Sequence, residues 1–163
     1  MPLKKRFQKP LPAKTLMQKT DAWIKSQSFP VPEKPTFGQD STIVPADLTK
    51  LNGAQLNNLM NRITLMSDYL GYELAKAEVS HLEAETKYDF HNAKLYLSTT
   101  ASNKKYAVVA HPESAMLKEL LDQRFARVKL MTALVDGQDK RYKALSRELT
   151  RRQMDWDKRN HHG

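Results

Sequence analysis

The stretch Leu56-Asn57-Asn58-Leu59-Met60-Asn61-Arg62-Ile63-Thr64-Leu65-Met66-Ser67-Asp68-Tyr69-Leu70 decides the fold. Leu56, Leu59, Ile63, Met66 and Leu70, continued by Leu74 and Ala77, recur at alternating steps of three and four, which places them on one face of an α-helix. The pattern runs from about Asn52 to Leu97, thinning into Ala84, Tyr88 and Leu95, and no proline or turn cluster stops it. A helix of roughly 45 residues is about 70 Å long at 1.5 Å per residue, far beyond a typical globular helix. Such a stripe needs a partner along its length. A weaker stripe, Leu65, Tyr69, Tyr72, Val79 and Phe90, is displaced around the same helix, so two packing surfaces are expected.

Downstream, Ser98-Thr99-Thr100 and Asn103-Lys104-Lys105 end this helix. Tyr106-Ala107-Val108-Val109 reads either as a short extended piece or as a ragged helical continuation. His111-Pro112-Glu113-Ser114 then turns the chain into a second long helix, from about Glu113 to Asp155. Its seam runs Leu121, Phe125, Val128, Met131, Val135, Tyr142, Leu145 and Leu149. Two helices of matched length across a short connection predict an all-α fold, a long antiparallel, coiled-coil-like hairpin over residues 47–163. Gly71 and Gly137 break helix propensity inside it, and a close helix crossing or a slight kink accounts for Gly71.

Upstream, Pro45 and Asp47 mark a helix start with Asp47 as N-cap, and Asn52-Gly53 restarts the chain into the long helix. Residues 1–46 form a basic, proline-rich arm. Pro2, Pro10 and Pro12 keep its beginning extended. A short helix is predicted from about Thr15 to Gln27, and Pro30, Pro32, Pro35 and Pro45 then forbid regular helix. Phe29, Val31, Phe37, Ile43 and Val44 suit a segment lying along a partner surface. A two-helix hairpin cannot bury both stripes of either helix. Identical neighbours would cover the remainder, giving a homo-oligomer; the alternative is that the arm folds back over it.

With 163 residues the chain is one domain's worth, and 40% apolar residues suffice for a core. No window is long and apolar enough to span a membrane. The charged start, Met1-Pro2-Leu3-Lys4-Lys5-Arg6, has no apolar run behind it, so no export signal is expected; a cytoplasmic location follows. The absence of cysteine removes disulfides, zinc fingers and thiol nucleophiles.

Of the net charge of +9, most sits at the ends. Residues 1–19 hold Lys4, Lys5, Arg6, Lys9, Lys14 and Lys19 without an acid. Residues 140–159 hold Lys140, Arg141, Lys143, Arg147, Arg151, Arg152, Lys158 and Arg159 against Glu148, Asp155 and Asp157. A near-neutral body with two basic ends reads as a polyanion-binding protein, most often one that binds nucleic acid. Solvated tails and a basic helix terminus complementing the macrodipole are the plainer explanation.

Lys140, Lys143, Arg147 and Arg151 form a stripe at three- and four-residue steps beside the Leu145/Leu149 seam, able to follow a phosphate backbone while the seam holds it to the protein. Trp156 lies between Arg151-Arg152 and Lys158-Arg159, where a base can stack on it or where it can serve as a packing anchor. The arginines can alternatively pair with acids such as Glu73, Glu78 or Glu85 of a neighbouring subunit. His81 and Glu85 stand at i and i+4, but no third metal ligand follows at helical spacing. Glycine-rich phosphate loops, nucleophile elbows and His-Glu-x-x-His arrangements are all missing, and Glu83 and Glu85 point to different helix faces. No catalytic residue, metal or cofactor is expected.

The basic start, Leu59-Met60-x-x-Ile63-x-x-Met66-x-x-Tyr69-Leu70, the continuation Leu74-Ala75-x-Ala77-Glu78, a lysine-rich break, and a second helix ending Leu145-Ser146-Arg147-Glu148-Leu149-Thr150-Arg151-Arg152 together resemble bacteriophage recombination mediator proteins of the UvsY type. The resemblance covers about residues 48–152 and rests on pattern, and the proline-rich arm stands outside it. It implies a helical homo-oligomer that binds single-stranded DNA and helps load a recombinase onto strands coated by single-strand-binding protein. On that reading Lys143, Arg147, Arg151 and Arg152 are the first contacts, with Lys140 and Trp156 beside them and Lys104 and Lys105 in the interhelical turn next. Lys4, Lys5 and Arg6 add nonspecific attraction. The rival is an oligomeric helical scaffold or assembly adaptor whose basic ends meet acidic protein partners.

Overall fold

The computed structural model describes residues 15–100 and 102–161. The first part of the arm, with Lys4, Lys5 and Arg6, lies outside the described residues. Among those described there is no strand; the chain folds as α1 (Leu16–Ser26), α2 (Gly53–Ser98), α3 (Lys104–Val109) and α4 (Pro112–His161), with short 3-10 turns at Gln39–Thr42 and Leu48–Lys50.

Side-chain capping sets where the helices begin. Thr15 and Gln18 form a capping box at the start of α1, and Asn52 and Gln55 form another at the start of α2; each pair satisfies two orphan backbone donors reciprocally. Asp47 caps the turn at Leu48–Lys50, ahead of the long helix, its carboxylate accepting from the backbone and hydroxyl of Thr49. The two boundary signals at Asp47 and Asn52 therefore serve different elements. Residues 106–109, legible in sequence as either strand or helix, belong to α3, which Asn103 caps.

α2 and α4 pack along one another and run antiparallel. Ser114 at the start of α4 donates to Asn92 near the end of α2 at 2.9 Å, and Arg152 near the end of α4 donates to the carbonyls of Leu48 and Leu51, just ahead of α2. The buried side chains of α2 are Leu56, Ile63, Met66, Leu70, Ala77 and Ala84, the stripe that the spacing predicts. The fully buried cluster Leu56, Ile63 and Leu145 sits at the open end of the hairpin, with Val44, Leu48, Leu51, Leu59, Met60 and Leu149 packed around it.

The inner face of α4 departs from its predicted seam. Phe125 and Tyr142 are exposed, whereas the polar Ser114, Gln138 and Glu148 are buried, as is Leu145. Ser114 donates to Asn92 and Glu148 receives Arg151 and Arg152, whereas Gln138 Oε1 is buried without a hydrogen-bond partner; apolar periodicity does not register such residues. Gly71 is not a close crossing: a Cβ added there or at Gly137 would meet nothing within 4 Å.

The proline-rich segment folds back in part. Thr42 is fully buried and accepts a 3.1 Å hydrogen bond from Arg141, while Arg62 lies over the Phe37 ring at 6.0 Å. Pro30, Val31 and Pro32 share a groove with Leu65 and Tyr72 of the second α2 stripe, and α1 packs on α2 as well. Other apolar side chains stay uncovered, notably Phe90 and Leu97 on α2, 73% and 81% exposed.

Candidate nucleic-acid interface

The basic stripe of α4 rests on a buried support. Leu145 is fully buried and Leu149 half-buried, so the helix face they occupy is fixed against α2 and the proline-rich segment. Lys140, Lys143, Arg147 and Arg151 all remain exposed. They are not equivalent. Lys143 pairs with Asp139 at 2.5 Å, one turn before it, and Arg151 is held by both Glu148 and Asp155 at 2.8 Å. Lys140 and Arg147 have no ion pair among the described residues.

Arg152 has a different setting from Arg151. Its guanidinium donates to Glu148 at 2.7 Å, to the Leu51 carbonyl at 2.8 Å and to the Leu48 carbonyl at 2.7 Å. These bonds occupy the planar fork of donors that makes arginine a good phosphate ligand. Arg152 thus ties the end of α4 to the approach to α2. Glu148, buried between Arg151 and Arg152, has its carboxyl held down to about 2, first by the hydrogen bonds from Arg151 and then by those from Arg152. Arg151 is shifted upward in turn, chiefly by the hydrogen bond to Glu148.

Trp156 is 65% exposed, one turn beyond Arg152, and belongs to none of the aromatic pairs among the described residues. Lys104 lies over the Tyr96 ring at 5.3 Å, and Lys105 is exposed. Both lysines sit at the closed end of the hairpin. From the start of α4 to Arg147 is about 50 Å at 1.5 Å per residue, so the interhelical lysines and the α4 stripe are separate patches.

A third basic patch is invisible to periodicity and composition. Lys76 and Lys87 of α2 and Arg124 and Arg127 of α4 line one cavity of about 390 Å³, closed at one edge by Thr15 at the start of α1. Glu73 and Glu83 offset part of this charge: Lys87 pairs with Glu83, and Glu73 takes Lys76 and Arg127. Residues from two helices meet here across the hairpin interface, so no single window of sequence carries the signal.

The His81 ring lies tilted against Phe125, ring centroids 5.6 Å apart, and Glu85 is exposed; among the described residues no third ligand joins them. One set of potential metal ligands does gather among those residues, His91, His111 and Glu113 at the closed end. No helix is long and apolar enough to cross a membrane among the described residues.

These features define an all-helical hairpin with basic patches along an elongated surface. Compared with known proteins, the chain matches no family model, no curated protein and no solved structure.

Proposed function

We propose that this chain is a non-enzymatic, oligomeric, single-stranded DNA-binding protein that acts as a recombination mediator in phage-type homologous recombination. In that role a cluster of hairpins multiplies weak phosphate contacts by avidity and holds the strand where a recombinase can occupy it, displacing single-strand-binding protein. The observation that carries this reading is the pair Lys140 and Arg147, exposed and free of ion pairs among the described residues, on the side of α4 turned away from the buried Leu145. Lys143 and Arg151 extend the stripe once their carboxylate partners yield to phosphate. Arg152 contributes by fixing that face rather than by touching the strand.

The test is fluorescence anisotropy of labelled single-stranded and duplex oligonucleotides over a salt series. The expected result is tighter binding to the single strand, with Lys140→Ala plus Arg147→Ala weakening it and making the salt slope shallower by about one for each phosphate left unneutralised. Affinity and slope unchanged in that double variant would remove the assignment. Equal, weak binding to single-stranded and duplex DNA would mark generic polycation behaviour.

A second reading, an assembly adaptor with acidic protein partners, draws on a different observation. Phe90, Leu97, Tyr106, Val109 and Met116 expose apolar surface around the closed end, away from the α4 stripe. Phosphates would not cover it. Failure to bind any oligonucleotide at low salt would favour this reading.

A further inference from the structure

We propose that His91, His111 and Glu113 form a binding site for a divalent transition-metal ion, with Zn²⁺ the best match, clasping the closed end of the hairpin. One ligand atom from each of the three residues lies within 4.8 Å of the others. His91 Nδ1 is 3.6 Å from Glu113 Oε1, and the two imidazole rings stand 5.5 Å apart, tilted by 53°. The three side chains come from different segments: His91 from the last turns of α2, His111 from the α3–α4 junction and Glu113 from the first turn of α4. An ion there joins all three.

Two further observations point to a missing ligand. His91 Nε2 is shielded from solvent and has no hydrogen-bond partner, one of three such side-chain atoms among the described residues and the one that lies in a cluster of potential ligands; a buried orphan of this kind calls for an ion or a water. Rotating the ring by 180° exchanges which nitrogen faces Glu113, leaving one nitrogen without a partner either way. The second observation is the frame. Ser114 Oγ donates to Asn92 Oδ1 at 2.9 Å, and these residues adjoin Glu113 and His91 in sequence. That buried rung fixes the separation of α2 from the start of α4 next to the ligands.

The donor set suits zinc. Two imidazoles and one carboxylate leave a fourth tetrahedral position for water, with metal–ligand bonds of about 2.0–2.2 Å. Ligands in such a tetrahedron are about 3.4 Å apart, so the cluster has to contract. Glu113, its side chain 64% exposed, is free to move inward. His111 Nδ1 accepts from the Glu113 amide at 3.3 Å, which places the ring proton on Nε2. Ligation through either nitrogen therefore exchanges a long, weak cap for a metal bond.

The experiment uses the full chain, stripped with a chelator and titrated with Co²⁺ in the visible region, then with Zn²⁺ by calorimetry. One equivalent of Co²⁺ should give tetrahedral d–d bands that Zn²⁺ displaces. His91→Ala, His111→Ala and Glu113→Gln should each weaken binding by about tenfold or more. His161 and His162, adjacent near the C-terminus, are the competing donors, and replacing both with alanine should leave the site intact. Glu113→Gln, a change at an exposed side chain, supplies the answer if a histidine variant loses helicity by circular dichroism. Affinity unchanged in Glu113→Gln and His111→Ala, or lost only with the C-terminal pair, would overturn the assignment. Nucleic acid is absent throughout, so the outcome is independent of the DNA-binding reading.

Discussion

Glu148 shows how much one polar residue can organise in this hairpin. Its carboxylate receives Arg151 through two hydrogen bonds and Arg152 through a third, while Arg152 reaches on to Leu48 and Leu51. The carboxyl titrates near 2 in the folded chain against an ordinary value of 4.5. The folded state thus favours the ionised form, so this contribution to stability is complete above about pH 4.5 and is lost as the pH falls through about 2. Thermal melts followed by circular dichroism from pH 5 to pH 2 should show a steep loss of stability in that window. Glu148→Gln should be less stable at neutral pH and should flatten the loss. A wild-type profile already flat between those limits would show that the cluster adds little.

At the scale of the element, α2 and α4 run through glycines that local helix propensity disfavours. Gly71 and Gly137 lie inside them with open space where a side chain would be, and glycine in a helix interior costs about 1 kcal/mol relative to alanine. Gly71→Ala and Gly137→Ala should each stabilise the protein by roughly 0.5–1 kcal/mol, read from urea denaturation. Destabilisation by Gly71→Ala would instead place a second copy of the chain against that position. Much of the element structure is legible in the residues themselves. The α2 stripe, the restart at Asn52 and the turn at His111-Pro112 follow from spacing and capping chemistry, which are local. The inner face of α4 is not, because its polar positions depend on specific pairings, Ser114 with Asn92 of α2 and Glu148 with Arg151 and Arg152, which apolar periodicity does not register.

For the whole molecule, surface area is the informative quantity. The hairpin of α2 and α4 is thin, and Phe90, Leu97, Tyr106 and Val109 each stay more than two-thirds exposed. Only eight apolar side chains among the described residues are buried, few for a chain of this length. Self-association would cover more of the apolar surface, with Phe90 and Leu97 prominent on α2. Light scattering coupled to size exclusion should therefore give a mass above that of one chain, and Phe90→Ser plus Leu97→Ser should lower it. A monomer at micromolar concentration would leave the uncovered surface to other partners.

By itself the sequence determined the elements and the charge distribution: two long helices, their turn, a proline-interrupted arm and a basic end. Each of these depends on residues within a few turns of one another, so periodicity and composition suffice to read them. Only the tertiary structure decided that Arg152 is a strut whereas Lys140 and Arg147 have no ion pair among the described residues. It also gathered Lys76, Lys87, Arg124 and Arg127 around one cavity and brought His91 to His111 and Glu113. Those distinctions arise where residues distant in sequence share a few ångströms of space, and only the packing of α2 against α4 creates such neighbours.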